Sequence, residues 1–373
     1  MALNIFLTAD VHLGMKFSSY PEVQSELVEA RFGALQRCVT LANENECDLF
    51  VIAGDLFDRI SVPDRDIIRA AQTVSEFQGR FSCALPGNHD YHPSGSRNIW
   101  ELFSQHAGDR HRVFTGQSVY PLAAYDLDAN LYPAPCSSKH SDRHVLGWVR
   151  EVQKDTGIRH HIGIAHGSLE GFSPDFDKKY YPVSEEVLRS CGMDIWLLGH
   201  THKPYPGEPD SQSNIFYPGT PQPDGFDCAH DGHAWIIRLD DEKKIHAESL
   251  STGSFRFVHD EVALNSPRDI ETLLQQYTGD ENGRKLLKLK LMGFLAREEY
   301  SALPSVLEEL KKRLFFLYDP VDMSELREKI TTKDIDGEFT EGSFPHALLT
   351  ALAKEEDTLA LQLAYELIQG GRQ

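Results

Sequence analysis

Lysine and arginine are in short supply. The 373-residue chain holds 37 of them against 57 aspartates and glutamates, a formal net charge of -20. That excludes a simple basic nucleic-acid coat protein. A nuclease stays open, because metal ions and local patches hold phosphate on an acidic protein. Cysteine is sparse as well. Cys38, Cys47, Cys83, Cys136, Cys191 and Cys228 form no CxxC pair, which argues against a zinc knuckle and a dense disulfide framework. A reducing cytoplasm is the expected compartment. The opening apolar run, residues 4–9, is far too short to span a membrane. It meets charge at Asp10 and follows no basic stretch, so no signal peptide and no membrane partner is expected. Internal repeats and low-complexity segments are missing.

The remaining pattern is layered. Apolar runs at 4–8, 48–53, 81–85, 160–165 and 194–198 read as buried strands. Residues 26–45, 64–77 and 184–191 carry apolar groups at helical spacing between them. Such alternation predicts an α/β layer structure. Beyond Asn214 the chain turns β-rich, with 234–239 and 245–250 as antiparallel partners. So many strands predict two stacked sheets with helices outside. Composition shifts near 251–254, which places a domain boundary between about 251 and 275. A strand at 285–291, a helix at 297–313, a short strand at 314–318 and a helical stretch at 344–368 are expected beyond it.

Strand after strand ends on a group able to bind metal. Asp10 and His12 follow the first, two apart. Asp55 follows the second. Asn88, His89 and Asp90 follow the third. His166 ends the fourth, and His200 and His202 the fifth. Taken singly, each is an ordinary cap, turn former or surface histidine. Taken together, mixed Asp, His and Asn donors suit two borderline-hard divalent ions better than a thiolate site does. A dinuclear Mn, Fe or Zn hydrolase is the reading of the residues themselves.

The blocks Asp10-x-His12, Gly54-Asp55, Gly87-Asn88-His89-Asp90, His166-Gly167 and Gly199-His200-Thr201-His202 resemble the calcineurin-like metallophosphoesterase superfamily, over roughly residues 1–250. The resemblance implies the four-layer αββα fold. It also implies that Asp10, His12 and His202 hold one ion and that Asn88, His166 and His200 hold another. Asp55 would bridge the two, and His89 would face substrate without binding metal. Asp90 would either orient His89 or cap the next segment.

The segments Ala9-Asp10-Val11-His12-Leu13-Gly14, Ala53-Gly54-Asp55-Leu56-Phe57-Asp58 and Tyr217-Pro218-Gly219-Thr220-Pro221 are similar to the SbcD/Mre11 branch of DNA repair nucleases. That similarity implies manganese-dependent 3′ to 5′ exonuclease activity on duplex DNA and single-strand endonuclease activity. It further implies a homodimer and an SbcC/Rad50-like coiled-coil ATPase as partner. It divides the chain into a catalytic domain at 1–255, an α+β capping domain at 275–340 and a C-terminal helical segment at 341–373.

Two features depart from the branch. Asp58 stands where archaeal and eukaryotic members carry a second substrate-facing histidine. Residues 251–373 hold 15 Lys and Arg against 22 Asp and Glu, an acidic balance for a region expected to contact DNA. Candidate substrate contacts are Arg97, Phe226, and Lys285, Lys288 and Lys290 along one strand. A phosphodiesterase or phosphatase on a small or non-DNA substrate is the alternative enzyme, and a non-catalytic partner-binding subunit the alternative of another class.

Overall fold

The computed structural model describes residues 2–92, 98–210, 212–279, 283–355 and 357–370. The chain forms two compact units, Met1–Arg256 and Phe257–Gln373.

In the first unit, β1 (Leu3–Thr8), β2 (Leu49–Ile52), β3 (Phe81–Ala84) and β4 (His111–Val113) run parallel in one sheet. A second sheet holds β5 (Tyr120–Pro121), β6 (Ala129–Ala134), β7 (His160–His166), β8 (Ile195–Gly199), β9 (Pro204–Tyr205) and β10 (Ile215–Pro218), in the order β5-β6-β7-β8-β10-β9. Within it β6, β7, β8 and β10 are parallel. The chain then returns to the first sheet. β11 (His233–Leu239) pairs antiparallel with β1, and β12 (Ile245–Ser251) with β11.

The alternation of side chains along each strand decides the layers. Ile5, Leu7, Val51 and Cys83 pack inward against Ile162, Ile164 and Leu197 of the other sheet. Phe6, Phe50 and Ile52 point the opposite way, into the core beneath α1 (Gln24–Glu44), α2 (Asp64–Ser75) and α3 (Ile99–His106). On the far side, Tyr132, Ala165 and Trp196 pack beneath α4 (Gly147–Glu151) and α5 (Glu185–Ser190). Both faces of the central strands are covered, which is why β2 (Leu49–Ile52) and β8 (Ile195–Gly199) read as unbroken apolar runs. The result is a mixed α/β, four-layer αββα sandwich. All six cysteines are buried and unbridged. Among the described residues no helix is long and apolar enough to cross a membrane.

The second unit begins with β13 (Arg256–Leu264) and α6 (Pro267–Gln276), so residues 257–274 belong to it. β14 (Lys285–Leu295), α7 (Arg297–Arg313), β15 (Phe316–Leu317) and β16 (Asp322–Glu328) follow. β14 is the centre of this sheet, with β13, β15 and β16 as neighbours. Leu287, Leu289 and Leu291 pack there on Leu303 and Leu310 of α7. A smaller core of Ile335, Phe339, Leu349 and Leu361 joins α8 (Thr332–Glu338), α9 (Phe344–Lys354) and α10 (Thr358–Gly370). The expected helical stretch at 344–368 is thus made of two helices, α9 and α10. Asp357 caps the second by accepting the Ala360 N–H at 2.9 Å.

The three lysines of β14 do not share a face. Positions three apart on a strand point to opposite sides, so Lys285 has the parity of Leu287 and Leu289, and its ammonium lies 6.0 Å from the Tyr277 ring centroid. Lys288 is exposed. Lys290 pairs with Glu325 at 2.6 Å. Lys311, Lys312 and Arg313 are likewise paired, with Glu308 and Glu309.

Candidate metal centre

The seven expected ligands come together at the C-terminal edges of parallel strands. Asp10 and His12 follow β1, Asp55 follows β2 and Asn88 follows β3; His166 closes β7, and His200 and His202 follow β8. The turns that deliver them are strained. Asp10, His12 and Asp55 have φ of 53°, 47° and 50°, and His200 has 109°, a region that residues with a Cβ seldom enter. Backbone bonds hold the first two turns together, Asp10 N–H to the Gly54 carbonyl at 3.1 Å and His12 N–H to that of Asp55 at 3.0 Å. Four such residues at one spot mark a functional site. Space is equally tight. A Cβ on Gly54 would lie 2.2 Å from His166 Nδ1, and one on Gly87 2.2 Å from Asp55 Oδ1.

The donor atoms form overlapping groups. Asp10, His12 and His202 offer atoms within 4.8 Å of one another, and so do His12, Asp55 and His89, and Asp55, His166 and His200. Nε2 of His12 and Nε2 of His202 stand 3.2 Å apart. Asn88 Oδ1 is 3.0 Å from both His166 Nε2 and His200 Nδ1. Asp55 Oδ2 is 3.2 Å from His166 Nε2 and 3.7 Å from His12 Nε2. Acceptor atoms packed this closely repel unless a proton or a cation lies between them. Their mix of imidazole, carboxylate and amide oxygen fits divalent metal ions.

The remaining ring nitrogens fix the histidines. His166 Nδ1–H donates to the Ala53 carbonyl at 2.9 Å, and His202 Nδ1–H to Asp224 Oδ2 at 2.9 Å. Each bond leaves Nε2 as the ligand atom. The charges perturb one another strongly. Burial works against the charged form of His166, yet Asp55 outweighs it and raises the imidazole to about 9. His202 is raised to about 9 against the same desolvation, here by Asp224. His200, buried beside the His166 charge, is pushed down to about 3. Burial alone would raise Asp55; its histidines hold it below the ordinary carboxylate range.

His89 offers a donor atom to the middle group, beside His12 and Asp55, although the resemblance assigns it no metal. Its ring meets His12 edge-on with centroids 4.8 Å apart, and its Nδ1–H donates to the Asp58 carbonyl at 3.0 Å. Asp90 therefore does not orient it. The fully buried Asp90 carboxylate accepts the Gly87 N–H at 2.7 Å and the Phe57 N–H at 3.0 Å, so it staples the turns that carry Asp55 and Asn88. The side chain of Asp58 lies 3.6 Å from His12 Nδ1 and 3.3 Å from Arg59. Arg97 lies outside the described residues. Phe226 is half-buried, with its ring 6.3 Å from that of Tyr20.

Sequence reasoning missed Arg31 and Asp224. Arg31 occupies the apolar face of α1, four residues from both Leu27 and Leu35 and buried with them; an arginine at that spacing is the signal that would have found it. Asp224 lies in the 223–227 loop, which resembles the family's loop beside the active site, but nothing in the spacing singled out its carboxylate. A cavity of about 230 Å³ opens beside the ligands, lined among others by Tyr180, His200, His202, Lys203 and Asp227.

A family model for calcineurin-like phosphoesterases matches residues 3–204. An uncharacterized metallophosphoesterase, YhaO of Bacillus subtilis, is 25% identical over 236 residues, 59% of this chain and 53% of its own length. The DNA double-strand break repair protein Mre11 of Methanopyrus kandleri is 24% identical over 234 residues, 58% of this chain and 48% of its own. The chain thus spans about half the length of these curated relatives. Among solved structures, TT1561 of Thermus thermophilus is 13% identical with a TM-score of 0.37, covering 66% of this chain and 99% of that one. The purple acid phosphatase PPD1 of yellow lupin is 10% identical with a TM-score of 0.41, covering 68% and 52%. With more than half of its length matched by the family model and its candidate metal-binding residues gathered at one edge of the two sheets, the chain belongs to the calcineurin-like phosphoesterases.

Proposed function

We propose that this protein is a phosphodiesterase with two divalent ions per chain, manganese by preference, acting as a 3′ to 5′ DNA exonuclease with single-strand endonuclease activity. The observation that carries the dinuclear reading is Asp55. Its carboxylate is shared between the His12 side and the His166 side of the cluster, the position a bridging ligand must take. Asp10, His12 and His202 would hold one ion, and Asn88, His166 and His200 the other. When bound, such ions supply Lewis-acid activation of water and neutralise charge on the phosphoryl oxygens. The chain's own part is positioning and proton transfer. With Nδ1–H committed to Asp58, His89 has Nε2 left to hold a proton against a phosphoryl oxygen or to pass it to the departing alkoxide. The half-buried cavity beside His200 and His202 would seat the neighbouring part of the substrate.

DNA as substrate is supported by the family, by the named role of the Mre11 relative and by the motif similarities. The lysines of β14 add less than their number promises, since Lys290 is paired. A coiled-coil ATPase partner is proposed for α10, whose Leu359, Leu363 and Leu367 recur every four residues and are 59%, 52% and 77% exposed. Helix-in-groove recognition reads such a stripe. The protein is proposed to work in the cytoplasm. The test is hydrolysis of bis-p-nitrophenyl phosphate beside labelled duplex and single-stranded DNA at saturating manganese. Release of nucleotides from duplex 3′ ends is expected. Turnover of the small ester with every DNA form intact would replace the nuclease with a small-substrate phosphodiesterase.

A further inference from the structure

One arginine links two separate ligand segments of the same metal group. Arg31 projects from α1 and is 1% exposed. One terminal nitrogen donates to the Val11 carbonyl at 2.7 Å, the peptide between Asp10 and His12. The other lies 3.1 Å from Asp224 Oδ2, the same oxygen that accepts His202 Nδ1–H at 2.9 Å. Asp10, His12 and His202 form one of the candidate metal groups, and Arg31 meets it indirectly, through the Val11 carbonyl between two of its members and through the Asp224 carboxylate behind the third. The guanidinium lies 5.4 Å from the Phe17 ring centroid, and its Nε–H has no hydrogen-bond partner.

We infer that Arg31 and Asp224 are positioning residues for this one ion. Burying an arginine–carboxylate pair is poor as a source of stability, and apolar residues of like volume serve as well or better. A device for geometry explains it. The planar fork makes two bonds in fixed directions, which a lysine ammonium does not reproduce. The bond from Asp224 sets the His202 ring so that Nε2 faces His12 Nε2 at 3.2 Å. Arg31 offsets the Asp224 charge, so that the carboxylate serves the imidazole and does not compete for the cation. Among the described residues the other group shows no such pair; His166 Nδ1 rests on the neutral Ala53 carbonyl. The two ions are therefore held by differently built surroundings, and damage to the pair should reach only one.

This inference rests on the two-ion reading, and the experiment separates them. The full-length protein, freed of metal, is titrated calorimetrically with Mn²⁺ alone, and thermal midpoints of the metal-free forms are recorded beside it. Wild type should bind two ions; fewer would overturn the two-ion reading itself. Asp224→Ala should weaken one of the two sites about 10–100-fold, the range for removing a partner behind a ligating histidine, and leave the other within about threefold. Asp224→Asn keeps an acceptor for His202 and should lose less. Arg31→Lys should fall between wild type and Asp224→Ala, and it serves in its place should the alanine variant fail to fold. Two unchanged affinities with a lowered thermal midpoint would make the pair a structural clasp only and overturn the inference. Equal weakening of both sites would overturn it too.

Discussion

His89 and Asp90 are neighbours with separable jobs, and their contacts say how to tell them apart. The His89 ring is held through Nδ1 by a carbonyl, while its backbone N–H donates to Asp55 Oδ1 at 2.8 Å, a bond that a change of side chain leaves in place. His89→Ala should retain metal and lose roughly a hundredfold or more in turnover, the usual loss for a transition-state hydrogen bond or proton donor. Bound metal per chain and the bis-p-nitrophenyl phosphate rate, measured on one preparation, check this; lost metal would make His89 a ligand. Asp90 is the reverse case. Removing its carboxylate strands two buried N–H groups, so Asp90→Ala should destabilise the fold by about 2–4 kcal/mol, and Asp90→Asn, which keeps one acceptor oxygen, by less. Denaturant unfolding reads the difference. Full stability with lost turnover would return Asp90 to catalysis. Sequence spacing made the candidate ligands legible because they gather at strand ends, four of them (Asp55, Asn88, His166 and His200) directly beside a glycine. The roles of Asp58, Asp90 and Asp224 depend on which way a loop carboxylate turns, and no spacing rule carries that.

At the scale of elements, the central strands of the first unit were legible because both faces are buried and their sequences are continuously apolar, as in β2 and β8. β16 was not. Of Asp322–Glu328 only Leu326 is buried, so it shows no apolar run. The lysines of β14 misled for a different reason. Lysines at 285 and 288 count as neighbours in composition but fall on opposite faces in a strand of period two. The stripe on α10 yields the prediction for this scale. Leu359, Leu363 and Leu367 leave most of their surface in water, so replacing all three with glutamine should shift unfolding free energy by no more than about 0.5 kcal/mol each and should abolish association with a co-expressed coiled-coil ATPase. A large loss of stability, seen as an early thermal transition, would show instead that the stripe packs within the second unit.

The whole molecule sets an acidic chain to work on an acidic substrate, and the contradiction is resolved locally. The net charge of -20 is spread over 373 residues, whereas metal ions concentrate positive charge where the phosphoester must sit. The parallel strands place every expected ligand at one edge of the two sheets, so the fold's layering and the site's chemistry have the same cause. The centre of the account is that this edge holds two ions with Asp55 between them. The most direct test is elemental analysis of manganese-loaded, dialysed protein, wild type beside Asp55→Ala and Asn88→Ala, with a crystal structure locating the ions by anomalous scattering. The account predicts two manganese ions per wild-type chain, both touching Asp55. It predicts that Asn88→Ala weakens one ion and that Asp55→Ala weakens both. A single ion per wild-type chain, or two ions of which one lies away from Asp55, would contradict it.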